Sequence, residues 1–265
     1  MIAAIAETGR LVAIASGKGG VGKTWLSATL ADGLARAGQR VLLVDWDFGL
    51  ANLDVQLGLT PGCDMMQVLR RGQPISDAII NFVPRLDILA GSSGTGAMAG
   101  LDTETLDHLL AAVRTCAKDY DYVICDLAAG LDQGVRRMAA TADLLLVVVT
   151  DEPTSLTDAY AVLKLHGRDG DAGRGEIIVN RAKSPPSGTR TYATLAHACT
   201  AFLGHTPPLA GVIRNDERVT DSIRRQTPLL TRHPNCPAAQ DVEALVQRLL
   251  TCPHQPVQLA RAFYA

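Results

Sequence analysis

Residues 16–24, SGKGGVGKT, combine phosphate-binding and metal-binding groups in one short segment. From Gly17 to Thr24 they match the pattern G-x-x-x-x-G-K-[ST], in which glycines let backbone N–H groups turn toward a phosphate. In such a loop Lys23 neutralises the β- and γ-phosphates, and the hydroxyl of Thr24 binds Mg²⁺. The segment therefore predicts binding of a nucleoside triphosphate together with Mg²⁺.

The flanking sequence has the context that this loop requires. The apolar run 11–15 predicts a buried strand before the loop, and the apolar residues between 25 and 34 have helical spacing after it. The N-terminus of that helix adds the positive end of its dipole to the phosphate site. We expect the nucleotide to contact the loop and the start of the helix, namely Gly17, Lys18, Gly19, Gly20, Val21, Gly22, Lys23, Thr24 and Trp25. The pattern needs one lysine, so Lys18 requires a separate explanation.

Three aspartates fall at the ends of predicted strands. Asp45 and Asp47 close the run RVLLVDWD, and Asp126 closes YVICD, an apolar run that ends in aspartate as a Walker B element does. Mg²⁺ on a phosphate keeps several waters, and a carboxylate at a neighbouring strand end can hold one of them. We predict a metal site formed by Thr24, Asp45 and Asp126. The alternative is that these aspartates only begin turns.

Apolar strands alternate with amphipathic helices along the chain. Strands are predicted at 11–15, 40–47, 86–90, 122–126, 144–150, 176–180 and 211–214, and the clearest helices at 103–117, 157–166 and 189–203. This alternation predicts an α/β fold with a mostly parallel central sheet and helices on both faces. Ligands of such folds bind at the C-terminal ends of the strands, where the loop and the aspartates fall.

Length and composition favour one large domain. The chain has 265 residues, of which 47% are hydrophobic and 20% are charged. We predict a single P-loop domain over residues 1–250 and a C-terminal tail over 251–265, either loose or used for interaction. The segment GSSGTGAMAG at 91–100 is one residue too long for a dinucleotide fingerprint and is interpreted as a mobile loop. The segment 183–189 is interpreted as a surface loop.

Charge and cysteine content exclude several classes of protein. The formal net charge of −2 gives no bulk attraction to nucleic acid. The strongest apolar run, 144–149, is too short to span a bilayer, and MIAAIAETGR lacks the positive start of a signal peptide. The six cysteines form no C-x-x-C pair and are interpreted as reduced thiols. We therefore expect a cytoplasmic protein.

The loop is similar to a specific family motif. KGGVGKT with the additional Lys18 resembles the deviant Walker A motif of the MinD/ParA family of ATPases. The resemblance implies a P-loop NTPase fold of the SIMIBI type that uses ATP, ADP and Mg²⁺. In that family the extra lysine crosses an ATP-sandwiched homodimer and touches the nucleotide of the other subunit. Lys18 is thus expected to act in trans by stabilising charge on phosphoryl oxygens, and the alternative is a solvated loop lysine.

Within this family the chain is similar to the FlhG/FleN branch, the regulators of flagellar number and placement. DWDFGLANLDVQLGL resembles that branch after its second strand, and DEPTSLTDAYAVLKL resembles its proline-threonine stretch. The resemblance implies that Asp47 positions the attacking water, so that the catalytic residues are Lys18, Lys23 and Asp47. The segment NRA resembles the adenine-contacting segment of the family, which assigns Asn180 and Arg181 to the base.

Three functions remain open from the sequence. The first is an ATP-switched, slowly hydrolysing regulator of flagellar assembly, which forms a homodimer with ATP and binds a flagellar regulator or an SRP-type GTPase. The second is a division-site or chromosome-positioning ATPase of the MinD or ParA type. DNA is not expected as a partner, because RNDERVTDSIRR at 214–225 mixes arginines with acids. The third is a metabolic P-loop enzyme.

The C-terminal part of the sequence leaves a membrane question open. The flagellar branch and MinD often end in a basic amphipathic helix that binds the membrane. Here the apolar stripe at 242–250 carries little positive charge. It either makes peripheral contact with the inner face of the cell membrane or packs on the core as a last helix.

Overall fold

The structure is a computed structural model that describes residues 9–49, 51–91, 102–168 and 174–252. In these residues the strands are β1 (Arg10–Ser16), β2 (Val41–Trp46), β3 (Ile79–Val83), β4 (Leu86–Leu89), β5 (Tyr122–Ala129), β6 (Leu144–Val149), β7 (Arg174–Ala182) and β8 (Leu209–Arg214). They form one sheet in the order β3-β4-β2-β5-β1-β6-β7-β8. All neighbours are parallel except β3 and β4.

Helices connect the strands and cover the sheet. They are α1 (Lys23–Arg36), α2 (Leu53–Leu57), α3 (Met65–Arg70), α4 (Thr103–Cys116), α5 (Gln133–Thr141), α6 (Pro153–Arg168), α7 (Pro185–Leu203), α8 (Glu217–Arg224), α9 (Leu229–Arg232) and α10 (Pro237–Thr251). Short 3-10 turns lie at Ile75–Ala78 and Ala117–Asp119. Within the described ranges, none of these helices has the length and apolarity needed to cross a bilayer.

Alternation along the central strands sends side chains into two separate cores. In β1, Leu11 and Ala13 face the core under α4 to α7, whereas Val12 and Ile14 face the core under α1 and α10. All four side chains are at most 4% exposed. Strands that are buried on both faces read as continuous apolar runs, which is why the sequence predicted them. The predicted α/β fold, with a mostly parallel sheet and helices on both faces, is confirmed.

The strand order brings the predicted chemical groups to one edge of the sheet. β5 lies between β1 and β2, so the C-terminal ends of these three strands are neighbours. The register pairs Asp45 of β2 with Asp126 of β5, and Asp126 also pairs with Ile14 of β1. β1 then leads directly into the glycine loop and α1.

All seven predicted strands are present, but β3 was not predicted. It pairs antiparallel with β4 at the sheet edge, across a short turn at Pro84 and Arg85. Arg85 has φ of 69°, in the left-handed region where glycine or asparagine usually signals a hairpin. Because an arginine occupies that position, the sequence carried no turn signal between the two strands.

The prediction of a surface loop at 183–189 was wrong. α7 begins at Pro185 rather than at 189, and Ser184 caps it by accepting the N–H of Ser187 at 3.3 Å. The hydroxyl of Ser187 accepts the N–H of Ser184 at 2.9 Å, which completes a capping box. Proline is tolerated in the first helical turn because its missing N–H would have no helical partner there. α6 likewise begins at Pro153, before the predicted 157.

The last described helix packs on the core and is held by the first strand. Val242, Leu245 and Leu249 of α10 are buried against α1 and the sheet, so the apolar stripe serves as a core helix. Nη1 of Arg10 donates to the carbonyl oxygens of Leu249 at 3.0 Å and Cys252 at 3.3 Å. These bonds satisfy backbone groups at the C-terminus of α10. The predicted glycine-rich loop from 92 onward and the tail from 253 lie outside the described residues.

Close packing of α7 on β8 gives a test of the fold. A Cβ added at Gly188 would lie 2.2 Å from Cγ1 of Val212, so we expect Gly188→Ala to destabilise the protein. Overpacking of this kind costs about 1–3 kcal/mol in the free energy of unfolding, which urea denaturation measures. Gly167→Ala in α6 is the matched control, because no described atom lies within 4 Å of its added Cβ. That change should stabilise the helix by about 0.5–1 kcal/mol, and equal midpoints for the two variants would contradict the packing.

Candidate nucleotide-binding site

The glycine loop leaves β1 after Ser16 and enters α1 at Lys23. Gly20 and Gly22 have φ of 78° and 91°, in the left-handed region that favours glycine. At Gly17 a Cβ would lie 2.5 Å from the backbone carbonyl carbon of Asp158 in α6. Glycine is therefore required at Gly17 by the close approach of a helix, and at the other two positions by backbone conformation.

The N-terminus of α1 is available for an anion. Its N-cap is Gly22, which has no side chain to accept a hydrogen bond from the first N–H groups. By contrast, Asp102, Asp132 and Ser184 cap α4, α5 and α7 through their side chains. Uncapped N–H groups and the positive end of the helix dipole together favour a bound phosphate. The loop and α1 thus have the geometry that the sequence pattern predicts.

Lys23 and Asp126 form a buried ion pair beside the loop. Nζ of Lys23 lies 3.5 Å from Oδ1 of Asp126, and the two side chains are 8% and 1% exposed. The hydroxyl of Ser27 lies 2.8 Å from the same oxygen. Burial raises the pKa of Asp126, while Lys23, Thr24 and Ser27 oppose that rise. Lys23 and Ser27 of α1 therefore contact the same carboxylate oxygen.

Asp45 lies beside Asp126 and organises the segment that follows β2. Burial, and then the negative charge of Asp126, raise the pKa of Asp45 to about 7. One carboxylate oxygen accepts the N–H of Asp47 at 3.0 Å, and the other accepts the N–H of Leu53 at 3.3 Å. A single side chain thus holds both ends of the connection from β2 to α2.

These groups fit a Mg²⁺ site. Carboxylates and a hydroxyl are the hard oxygen ligands that Mg²⁺ prefers, and a cation would relieve the repulsion between Asp45 and Asp126. The described residues contain no group of three or more His, Cys, Asp or Glu that could hold a metal alone. Mg²⁺ on a nucleotide takes phosphate oxygens and waters in addition to few protein ligands. The ligand set of Thr24, Asp45 and Asp126 stays a prediction.

Asp47 lies in the turn directly after β2, at the same edge of the sheet. It is half-buried, and its Oδ1 accepts the N–H of Gly49 at 3.2 Å. This placement near the loop is compatible with the predicted positioning of a water. The catalytic role of Asp47 stays a prediction.

Lys18 is turned away from Lys23 and Asp126. Its ammonium pairs with the carboxylate of Glu152 and lies 3.0 Å from Oγ1 of Thr154, at the start of α6. The Lys18 side chain is 37% exposed. Hydrogen bonding to Lys18 lowers the pKa of Glu152, so this carboxylate is ionised and neutralises the lysine. In this arrangement Lys18 contacts residues at the start of α6 in its own subunit and does not contact Asp126.

Asn180 supports the loop from β7. Its Nδ2 donates to the carbonyl oxygen of Val21 at 2.8 Å, and its Oδ1 accepts the N–H of Arg181 at 2.9 Å. A Cβ at Gly22 would lie 2.5 Å from Nδ2 of Asn180, so the amide packs directly on the loop. Arg181 has φ of 55°, in the left-handed region. Its N–H makes the hydrogen bond to Oδ1 of Asn180 in this conformation. The observed role of Asn180 is to brace the loop, and adenine recognition by Asn180 and Arg181 stays a prediction.

The side chain of Trp25 packs into the core under α1. It is buried with Leu26 and Leu30 in the cluster that α10 covers. A nucleotide contact by Trp25, which stays a prediction, would have to be made by its backbone. Ser27, Glu152 and Thr154 were not predicted. Ser27 had a possible signal, because a residue four positions after Lys23 lies on the same helix face.

Comparison with known proteins agrees with this geometry. The sequence profile of a family described as an AAA domain matches residues 9–166. Antiactivator FleN of Pseudomonas aeruginosa is 36% identical over 244 residues, which cover 92% of this chain and 87% of that protein. The septum site-determining protein MinD of Helicobacter pylori is 32% identical over 250 residues, which cover 91% and 90% of the two proteins.

A solved structure agrees as well. The MinC:MinD cell division protein complex of Aquifex aeolicus aligns with a TM-score of 0.75 and 28% identity, over 93% of this chain and 98% of that chain. The family profile extends over the glycine loop and both aspartate-bearing strands. Proteins of the MinD/ParA type are ATPases. The chain belongs to the MinD/ParA family of P-loop ATPases.

Proposed function

We propose that this chain is an ATP-operated switch that pairs with a second copy of itself in the ATP state and regulates the number or placement of flagella. The observation that carries the proposal is the divergence of the two loop lysines. Lys23 points into the protein beside Asp126, whereas Lys18 points outward to Glu152. A lysine at the outer surface of the loop is placed to meet a second subunit, which supports the trans role that the resemblance implies.

Pairing then requires an exchange of partners at Lys18. Glu152 neutralises the ammonium in the arrangement described above. Exposed ion pairs are weak, so phosphoryl oxygens of a second subunit can replace this carboxylate. We infer that Lys18 leaves Glu152 when two ATP-bound copies meet, and that this exchange contributes to the switch.

Hydrolysis would return the switch to its starting state. Bound Mg²⁺ supplies positive charge at the phosphoryl oxygens, and Lys23 adds a second cation from the loop. Asp47 would orient the attacking water, and Asp45 holds the backbone of Asp47 through a hydrogen bond. The segment between β2 and α2 is hydrogen-bonded to Asp45, one of the carboxylates of the proposed metal site. This segment would therefore respond to the nucleotide state.

The flagellar assignment rests on similarity. The motifs after β2 and β6 resemble the FlhG/FleN branch, and identity to FleN is 36% against 32% to MinD. A MinD-type or ParA-type positioning ATPase is the second candidate. Against DNA binding, three of the four arginines in 214–225 lie within 4 Å of a carboxylate oxygen, namely Arg214, Arg218 and Arg225. No specific observation favours the metabolic P-loop enzyme.

The first expected outcome concerns nucleotide binding. Lys23→Ala should weaken ATP binding about 10- to 100-fold, because it removes a charge-assisted contact to phosphate. Calorimetric titration of ATP with Mg²⁺ measures this, and Lys118→Ala on an exposed turn should bind as the wild type does. GTP should bind more weakly than ATP. Wild-type affinity in Lys23→Ala would place the nucleotide elsewhere.

A second outcome concerns the release of Lys18. Glu152→Gln should lower the protein concentration needed for the ATP-bound dimer about two- to fivefold, as expected for loss of an exposed ion pair. Light scattering after size-exclusion chromatography in Mg²⁺ and ATP measures the dimer. Asp151→Asn removes the same charge at the adjacent exposed position and serves as the control.

Lys18→Ala should stay monomeric with nucleotide bound, and a normal dimer in that variant would remove the trans role.

A third outcome concerns Asp47. Because phosphoryl transfer depends on positioning, Asp47→Ala should lose hydrolysis far more than ATP binding and should accumulate as the dimer. Phosphate release and light scattering are measured on the same sample. Hydrolysis at the wild-type rate would assign the water to another residue.

The accumulated dimer can then capture partners: a flagellar regulator would support the proposed process, whereas a division protein or salt-sensitive DNA binding would favour the second candidate.

A further inference from the structure

Ser27 is a buried hydroxyl of α1 that reaches the metal-site carboxylate. Its Oγ lies 2.8 Å from Oδ1 of Asp126 and 3.0 Å from the carbonyl oxygen of Lys23. The side chain is fully buried. The carbonyl of Lys23 already accepts the N–H of Ser27 in the regular helical pattern, so it does not depend on the hydroxyl. The single hydroxyl hydrogen is therefore available to Asp126.

Other groups near Asp126 are expected to turn to the phosphate or the metal when Mg²⁺ and nucleotide bind. Lys23 contacts Asp126 at 3.5 Å, and a phosphate in the loop competes for its ammonium. The hydroxyl of Thr24 is the group that the loop pattern gives to Mg²⁺. Ser27 lies one turn deeper in the helix, where neither phosphate nor metal is expected. Of the contacts that Lys23 and Ser27 make with Asp126, that of Ser27 is the one the ligand leaves in place.

We propose that Ser27 is a positioning residue, which holds Asp126 in its metal-binding orientation in both the nucleotide-free and the nucleotide-bound protein. A carboxylate that loses its contact with Lys23 would otherwise be free to rotate at the strand end. The hydroxyl of Ser27 holds Oδ1 of Asp126 in place. Oδ2 of the same carboxylate then keeps one orientation toward the metal position. Partners of this kind commonly control metal affinity about 10- to 100-fold.

The test is the Mg²⁺ dependence of ADP binding, which does not require hydrolysis. In Ser27→Ala the Mg²⁺ concentration that gives half-maximal enhancement of ADP binding should rise about tenfold. ADP affinity in excess EDTA should stay at the wild-type value, because the loop and Lys23 are unchanged. A loss of ADP affinity in EDTA would show that Ser27 supports the loop itself and would overturn the proposal.

Thr29→Val is the matched control on the same helix. The hydroxyl of Thr29 donates to the carbonyl oxygen of Trp25 at 2.8 Å, so it has the same backbone contact as Ser27 but lies further along α1. Its Mg²⁺ midpoint should equal that of the wild type. An equal shift in both variants would mean that any buried hydroxyl of α1 has this effect, and would overturn the role of Ser27.

A double-mutant cycle tests the route through Asp126. If Ser27 acts on Mg²⁺ through this carboxylate, Ser27→Ala should change the midpoint no further in an Asp126→Asn background. A second shift of similar size in that background would overturn the proposal. Ser27→Cys, of similar size with a weak S–H donor, should move the midpoint in the same direction and covers the case in which Ser27→Ala does not fold. The inference rests on Mg²⁺–nucleotide binding at this loop, which the wild-type titration tests separately.

Discussion

Two carboxylates that are fixed side by side in the sheet dominate the energetics of the site. The parallel register pairs Asp45 with Asp126, and both are almost fully buried. A pKa of Asp45 raised from 3.8 to about 7 means that the folded chain holds this proton more tightly than the unfolded chain. The contribution of Asp45 to stability therefore falls as pH rises between those two values. A cation at the proposed Mg²⁺ site would offset the repulsion and would link metal binding to folding stability at this edge of the sheet.

The parts of the site that the sequence predicted depend on residues close together in the chain. The loop pattern lies within nine residues, and the buried strands are continuous apolar runs. The contacts that the sequence did not predict join distant positions: Ser27 reaches Asp126 across 99 residues, and Lys18 reaches Glu152 across 134 residues. Asn180 was assigned to the base, yet its amide bonds to Val21, which only the approach of β7 to the loop determines. Residue type and spacing identify the chemistry, whereas tertiary packing decides which side chain supports which.

α6 contacts the loop at two separate points. Asp158 lies against Gly17 so closely that no side chain fits between them, and Glu152 just before the helix holds Lys18. Thr154 in the first turn of α6 also lies 3.0 Å from Nζ of Lys18, so both points of contact involve this helix. A change in the loop on nucleotide binding would therefore bear on the position of α6. The proposed exchange at Lys18 would be sensitive to the same displacement.

The hydrogen bonds from Arg10 to the carbonyl oxygens at the end of α10 have a practical consequence. Arg10 is the first residue of β1, and the glycine loop begins after its last residue, Ser16. A strand of this length spans about 20 Å, so Cys252, which bonds to Arg10, lies at the far end of the domain from the loop. A fluorescent protein or an affinity tag joined to the chain beyond this point would start on the side remote from the phosphates. Imaging reporters are therefore better attached there than near the segments that follow β2 or β6.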